Sequence, residues 1–254
     1  MDDPVRWVPY CGEAPGPEAW LSRWNFDPVL GAFLLLAAVA LLHSPAARAL
    51  PPVRRRSLGG AWALTVLLYV SPLCALSSTF FTVRVVHHIA LVLLVAPLLA
   101  HGMAPWLRGA RVPLWTATAA ATVVFWVWHA PAPYAAALSS DALYAVMQLT
   151  LLISAVAFWL GVRQSQPTAA MGAILATTVQ MGLLGALIMF AARALYAPHF
   201  ASMLSWGISP LEDQQLAGLL MWAPGSMAYL VAAMCIGWRW LRSERADALR
   251  TRPA

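Results

Sequence analysis

The chain has 254 residues, of which 61% are hydrophobic and only 10% charged. Soluble domains carry about 25% charged residues, so this composition excludes a large soluble domain and fits one membrane domain with short loops. The net charge is +6 and all sixteen basic residues are arginine; because they sit mostly in short connections between apolar runs, they read as orientation signals rather than as a nucleic-acid surface.

In chain order, the segment ahead of Val29 carries Asp2, Asp3, Arg6, Glu13, Glu18, Arg23 and Asp27 before any apolar run. A cleavable signal would place its apolar run earlier, behind a basic start, so the stretch 1–28 is read as an exported segment. Seven apolar runs follow, at Val29–His43, Leu58–Leu76, Val85–Pro105, Val112–Trp128, Leu143–Val162, Ala169–Ala191 and Leu216–Trp238. A span needs roughly 20 residues, so the first and fourth are short. Pro51–Pro52 and Pro131–Ala132–Pro133 punctuate connections, as helix breakers do. The expected fold is an all-α, polytopic bundle of about seven transmembrane helices over the stretch 29–240, with a basic tail at 241–254.

Arginine counts set the expected orientation. Arg48, Arg54, Arg55, Arg56, Arg108, Arg111, Arg163, Arg239, Arg242, Arg245, Arg250 and Arg252 fall on one side, and Arg6, Arg23, Arg84 and Arg193 on the other. The positive-inside rule puts the larger group in the cytoplasm, with the N-terminus outside and the C-terminus inside.

The histidines divide in the same way. His43 and His101 fall at the cytoplasmic end, whereas His87, His88, His129 and His199 fall at the outer end from three separate connections. Ionisable groups in a membrane are costly and usually functional, and imidazole is a ligand for copper, zinc or iron. These four histidines are the candidate metal ligands. His87 and His88 open a predicted helix, so one of them is expected to face the bundle and the other the headgroups. His129 alone could be an interfacial helix-end residue, and His199 a solvated loop residue. Met147, Met203 and Met221 could offer thioethers but also suit packing. Asp213 could cap the last helix or orient a metal-bound imidazole.

Cys11, Cys74 and Cys235 are scattered, with no CxxC pair and no zinc signature. Cys11 and Cys74 could approach each other, touch a metal, or be unrelated small residues; Cys235 reads as packing.

The segment Trp128–His129–Ala130–Pro131–Ala132–Pro133–Tyr134, the later Phe158–Trp159, and Ser209–Pro210–Leu211–Glu212–Asp213–Gln214–Gln215–Leu216–Ala217–Gly218 together resemble the CtaG family of cytochrome c oxidase assembly proteins. Trp24–Asn25–Phe26–Asp27–Pro28, and Ser71–Pro72 with Val86–His87–His88, fit the same resemblance, which covers nearly the whole chain in order. It implies a multi-pass protein of the bacterial inner membrane that helps supply copper to haem-copper oxidases. Its implied partners are oxidase subunits or a copper chaperone. It carries over His88, His129 and Asp213, while His199 matches no motif. It also marks departures: Arg84 stands where the pattern has the first histidine of a His-x-x-x-His pair, and Tyr144 and Gln148 stand where members often have two more. A transporter and a metal-free accessory subunit of a respiratory complex are the competing readings; the residues carry no nucleophile–base pair that would suggest an enzyme.

A reporter fused after Ala254 is expected to be active only as a cytoplasmic fusion, and a tag placed before Met1 to be reached from outside. An externally accessible C-terminal tag would reverse the side assigned to every residue above.

Overall fold

The computed structural model describes Trp7 and residues 9–250, and no strand occurs among the described residues. Helix α1 is Pro28–His43. Its start is fixed in part by Pro28, which has no N–H to leave unpaired. The Asp27 carboxylate completes the cap by accepting from the Leu30 N–H at 2.7 Å, the usual service of an acidic side chain at this position. Helix α2 is Pro52–Val70 and α3 is Pro72–Thr79, with their axes 53° apart. The predicted second span, Leu58–Leu76, ran straight through this break. Pro72 is the physical reason for the correction, because a proline pushes the residue before it out of the helical region and supplies no N–H; Ser71 is accordingly extended, at φ −71° and ψ 167°.

Helix α4 is Phe81–Met103, so it begins ahead of the predicted Val85, and His87 and His88 lie in its second turn rather than at its start. Helix α5 is Leu114–His129, α6 is Asp141–Gln164, α7 is Pro167–Met189 and α8 is Pro210–Asp247. Two of these widen into a looser turn near their middle, α4 at Leu91–Val95 and α8 at Met221–Gly225. Prolines account for both. Pro97 follows the first and Pro224 lies inside the second, and neither can continue the regular hydrogen-bond ladder. The freed carbonyl of Val92 accepts instead from the Trp159 indole N–H at 2.8 Å.

By length and composition α4, α6, α7 and α8 are able to cross a membrane, and the bent α2–α3 pair adds a fifth. Helices α1 and α5 have 16 residues each. At the usual rise per residue each is about 24 Å long. The outward faces are apolar along their length: Phe33, Leu36, Val123, Ile153, Val179 and Leu187 are all exposed. In water such a surface would associate; in lipid it is the expected finish of a membrane bundle. Cys235 belongs to this outward surface, not to the packed interior expected for it.

Helices α7 and α8 cross at a pair of glycines. A methyl group at Gly218 would sit 2.5 Å from the Met189 backbone nitrogen and 2.6 Å from the Gly185 carbonyl oxygen, and one at Gly185 would sit 2.8 Å from the Gly218 oxygen. The obstructing atoms are backbone, so nothing can swing aside, and small residues are what allow two membrane helices to approach this closely. Gly218→Ala is therefore expected to destabilise the protein by about 1–3 kcal/mol through overpacking. A lowered unfolding midpoint in mild detergent checks this, with Gly31→Ala, where open space surrounds the site, as the unaffected control.

Candidate functional site

The N-terminal ends of α4, α6 and α8 meet the C-terminal end of α5 at one end of the bundle. Two residues at the start of α8 organise this end. The Asp213 carboxylate accepts from the Phe81 N–H at 2.7 Å and from the Thr82 N–H at 3.3 Å, and the Thr82 hydroxyl donates back to the Asp213 carbonyl at 2.7 Å. Asp213 thus caps α4, whose first N–H groups have no partner within their own helix. Neither expected role holds. Its own helix is closed by Ser209 and Glu212, which form a reciprocal capping box. Its carboxylate is spent on α4 rather than on an imidazole. Gln214 accepts from the Leu195 N–H at 2.6 Å and donates to the Ile188 carbonyl at 3.2 Å, which fastens the α7–α8 connection.

That connection brings Tyr196 and His199 inside. Tyr196 stacks on Phe81, with ring centroids 3.6 Å apart, and its hydroxyl donates to the His129 carbonyl at 2.7 Å. His199 is fully buried, not solvated as expected of a loop histidine. Its Nδ1 donates to the Thr79 carbonyl at 3.1 Å and its Nε2 accepts from the Tyr134 hydroxyl at 2.6 Å. Burial holds its pKa down to about 3, with the Arg84 charge adding to the effect, since both disfavour the imidazolium. With both nitrogens committed, this neutral imidazole links the connection to Thr79 and Tyr134.

His88 and His129 do come together. His88 Nδ1 and His129 Nε2 are 3.4 Å apart, and both side chains are buried. His129 Nδ1 faces the Phe125 carbonyl at 2.7 Å. A carbonyl can only accept, so the proton is on Nδ1 and Nε2 presents a lone pair. On the far side of His88, Nε2 lies 3.3 Å from the Gln148 side-chain nitrogen, and the Gln148 oxygen accepts from the Tyr69 hydroxyl at 2.9 Å. One assignment satisfies every member: Tyr69 O–H to Gln148, Gln148 N–H to His88 Nε2, His88 Nδ1–H to His129 Nε2, and His129 Nδ1–H to Phe125. Gln148 and Tyr144, noted in the sequence only as departures from a pattern, are thus members of the site. Tyr69 carried no signal at all, since its role depends on α2 packing beside α4 and α6.

His87 is buried as well, contrary to the expectation that one of the adjacent pair faces headgroups. Its ring meets the Tyr69 edge with centroids 4.7 Å apart, and both of its nitrogens lack partners. Arg84, one turn before His88, is fully buried and donates through Nη1 to the Tyr144 hydroxyl at 2.7 Å. It makes no ion pair with Asp213 or Glu212, whose carboxylates are bonded to Phe81 and Thr82 and to Ser209.

The N-terminal segment covers this end. Cys11 and Cys74 form a disulfide across a sequence separation of 63, which settles the open question of their relation. Tyr10 stacks on Tyr144 at 5.2 Å, and burial there pushes its phenol pKa up to about 12. It stays neutral, because burial disfavours the phenolate. Met147, Met203 and Met221 are buried, the first and last within the hydrophobic core. Among the described residues, no group of three or more His, Cys, Asp or Glu side chains converges as a metal site.

A family model described as cytochrome c oxidase caa3 assembly factor (Caa3_CtaG) matches residues 32–243. The chain belongs to that family. No curated protein and no solved structure matches it. Membership places this chain among the assembly factors of the caa3-type cytochrome c oxidase, and the two signatures seen in the sequence, around His129 and around Asp213, lie within the matched region.

Asp213→Ala removes the cap of α4 and is expected to destabilise by about 1–2 kcal/mol, whereas Asp213→Asn keeps an acceptor for the Phe81 N–H and is expected to retain most of that stability. Thermal unfolding of the two variants in mild detergent measures the difference.

Proposed function

We propose that this member of the caa3 assembly family holds copper transiently between His88 and His129 and passes it to the oxidase, acting without catalysis of its own. The observation that carries this reading is the convergence of the two imidazoles, whose facing nitrogens are 3.4 Å apart. Metal–nitrogen bonds are about 2.0–2.1 Å long, so one ion can bond both nitrogens in a bent geometry without moving either ring far. Two protein ligands leave positions open, as suits cargo that must leave again. Imidazole is a ligand for copper, and a monovalent ion costs less to bury in a low-dielectric interior than a divalent one, which favours Cu(I).

Capture requires His88 to present Nδ1 as a lone pair, so its proton must sit on Nε2. Gln148 supports that tautomer by turning its amide, so that Oε1 accepts from Nε2–H and the amide nitrogen donates to the Tyr69 oxygen. The imidazole stays neutral throughout, and no proton is released to a membrane interior that could not solvate it.

The reading includes a seven-span topology, with α1 and α5 as short spans, the N-terminus outside and the site at the outer end of the bundle. The Cys11–Cys74 bridge supports that orientation, since disulfides persist in oxidising compartments. At the other end, Arg54 lies near Arg163 and donates to the His101 carbonyl at 2.8 Å, in keeping with a basic cytoplasmic face. A transport route, which would want free polar groups at mid-membrane such as those of Thr177 and Thr178 in α7, finds less support: both hydroxyls are spent on carbonyls of their own helix.

Competition against a chromogenic Cu(I) chelator in detergent tests the reading. His88→Ala and His129→Ala are expected to abolish binding, and Gln148→Leu to weaken it about 10–100-fold, the usual effect of losing the group that orients a ligand. Unchanged affinity in both histidine variants would replace this function with that of a metal-free accessory subunit, a role the complete hydrogen-bonded chain from Tyr69 to Phe125 would equally allow.

A further inference from the structure

Arg84 is the one arginine among the described residues that is buried, and only one of its three nitrogens is used. Nε and Nη2 have no hydrogen-bond partner. The neighbours are neutral: the Tyr144 ring lies 5.0 Å from the guanidinium carbon, and the Tyr134 hydroxyl, engaged with His199, also interacts with the guanidinium. Among the described residues, the carboxylates at this end are committed or exposed. Asp213 is bonded to Phe81 and Thr82, Glu212 to Ser209 and Asp27 to Leu30, while Glu13, Glu18 and Asp141 are exposed. A buried cation is stable only when it is paired and its donors are satisfied, and guanidinium cannot shed its proton to escape the cost.

His87 sharpens the point. It is three positions on from Arg84 in α4, which puts both on one helix face, and its two ring nitrogens are also without partners. In a neutral imidazole one of these nitrogens is a donor. Arg84 and His87 thus carry unpartnered polar groups one helical turn apart in the packed interior.

We propose that Arg84 and His87 form a binding site for one small monovalent anion, of halide size. One fixed positive charge calls for one negative charge. The close packing calls for a small one. The Arg84 donors and the His87 N–H would supply its hydrogen bonds, and the bound pair would leave His88 and His129 facing a neutral unit instead of a bare cation. The proposal goes beyond the copper reading and stands without it, because no metal is needed for the anion to bind.

The test uses the metal-free full chain, purified in detergent and exchanged into sodium gluconate. Adding chloride or bromide at constant ionic strength is expected to raise the unfolding midpoint by several degrees and to saturate, as a ligand of the folded state does. Bromide is expected to be retained at one ion per chain after desalting, as counted by X-ray fluorescence. Arg84→Gln should abolish both effects and His87→Ala should weaken both. If Arg84→Gln does not fold, the wild-type bromide count and its saturation decide alone. No halide-specific shift and no retained bromide in the wild type would overturn the proposal, and would mean that Arg84 is balanced from within the chain or by water. Loss of Cu(I) binding in the His88 and His129 variants is measured separately, so either reading can fail without the other.

Discussion

The arrangement of the site depends on the clamp at the start of α8. In lipid, the first N–H groups of a helix have no water to turn to, and at the start of α4 they are taken by the Asp213 carboxylate. This fixes where α4 begins, and with it the depth and rotation of Arg84, His87 and His88. The adjacent Gln214 fastens the connection that carries Tyr196 and His199. One dipeptide therefore places the side chains of two separate elements around the end of α5, and the tight Gly185–Gly218 crossing keeps α8 at the distance this requires.

Much of this architecture could be read from the sequence. The seven apolar runs all correspond to helices, and His88 and His129 were expected at the same end of the bundle and are found together. Hydropathy and helix-end proportions carry that much, because they are local. What could not be read was set by contacts between distant segments. Asp213 has the chemistry of a cap, but nothing local says that it caps α4 instead of its own helix. His199 lies in a connection between two apolar runs, and only the folding of that connection into the bundle buries it. The break at Ser71–Pro72 was legible in principle, since proline forbids a straight helix; an unbroken apolar run masked it.

Five polar groups in the interior are ordered into one chain. Tyr69, Gln148, His88, His129 and the Phe125 carbonyl are each donor or acceptor to the next. Such a network in low dielectric is either wholly satisfied or very costly, so the five groups behave as a unit. Arg84 sits beside this unit without belonging to it, held by Tyr144.

The bridge between Cys11 and Cys74 has a consequence for how the molecule matures. It joins a segment that precedes α1 to the short helix that follows α2, so both ends of the α1–α2 hairpin must be in place before the sulfurs can meet. Oxidation is then available only to chains in which those two helices already lie side by side, and it locks Tyr10 onto Tyr144. Closure of the site becomes a record of completed hairpin packing, written in a covalent bond.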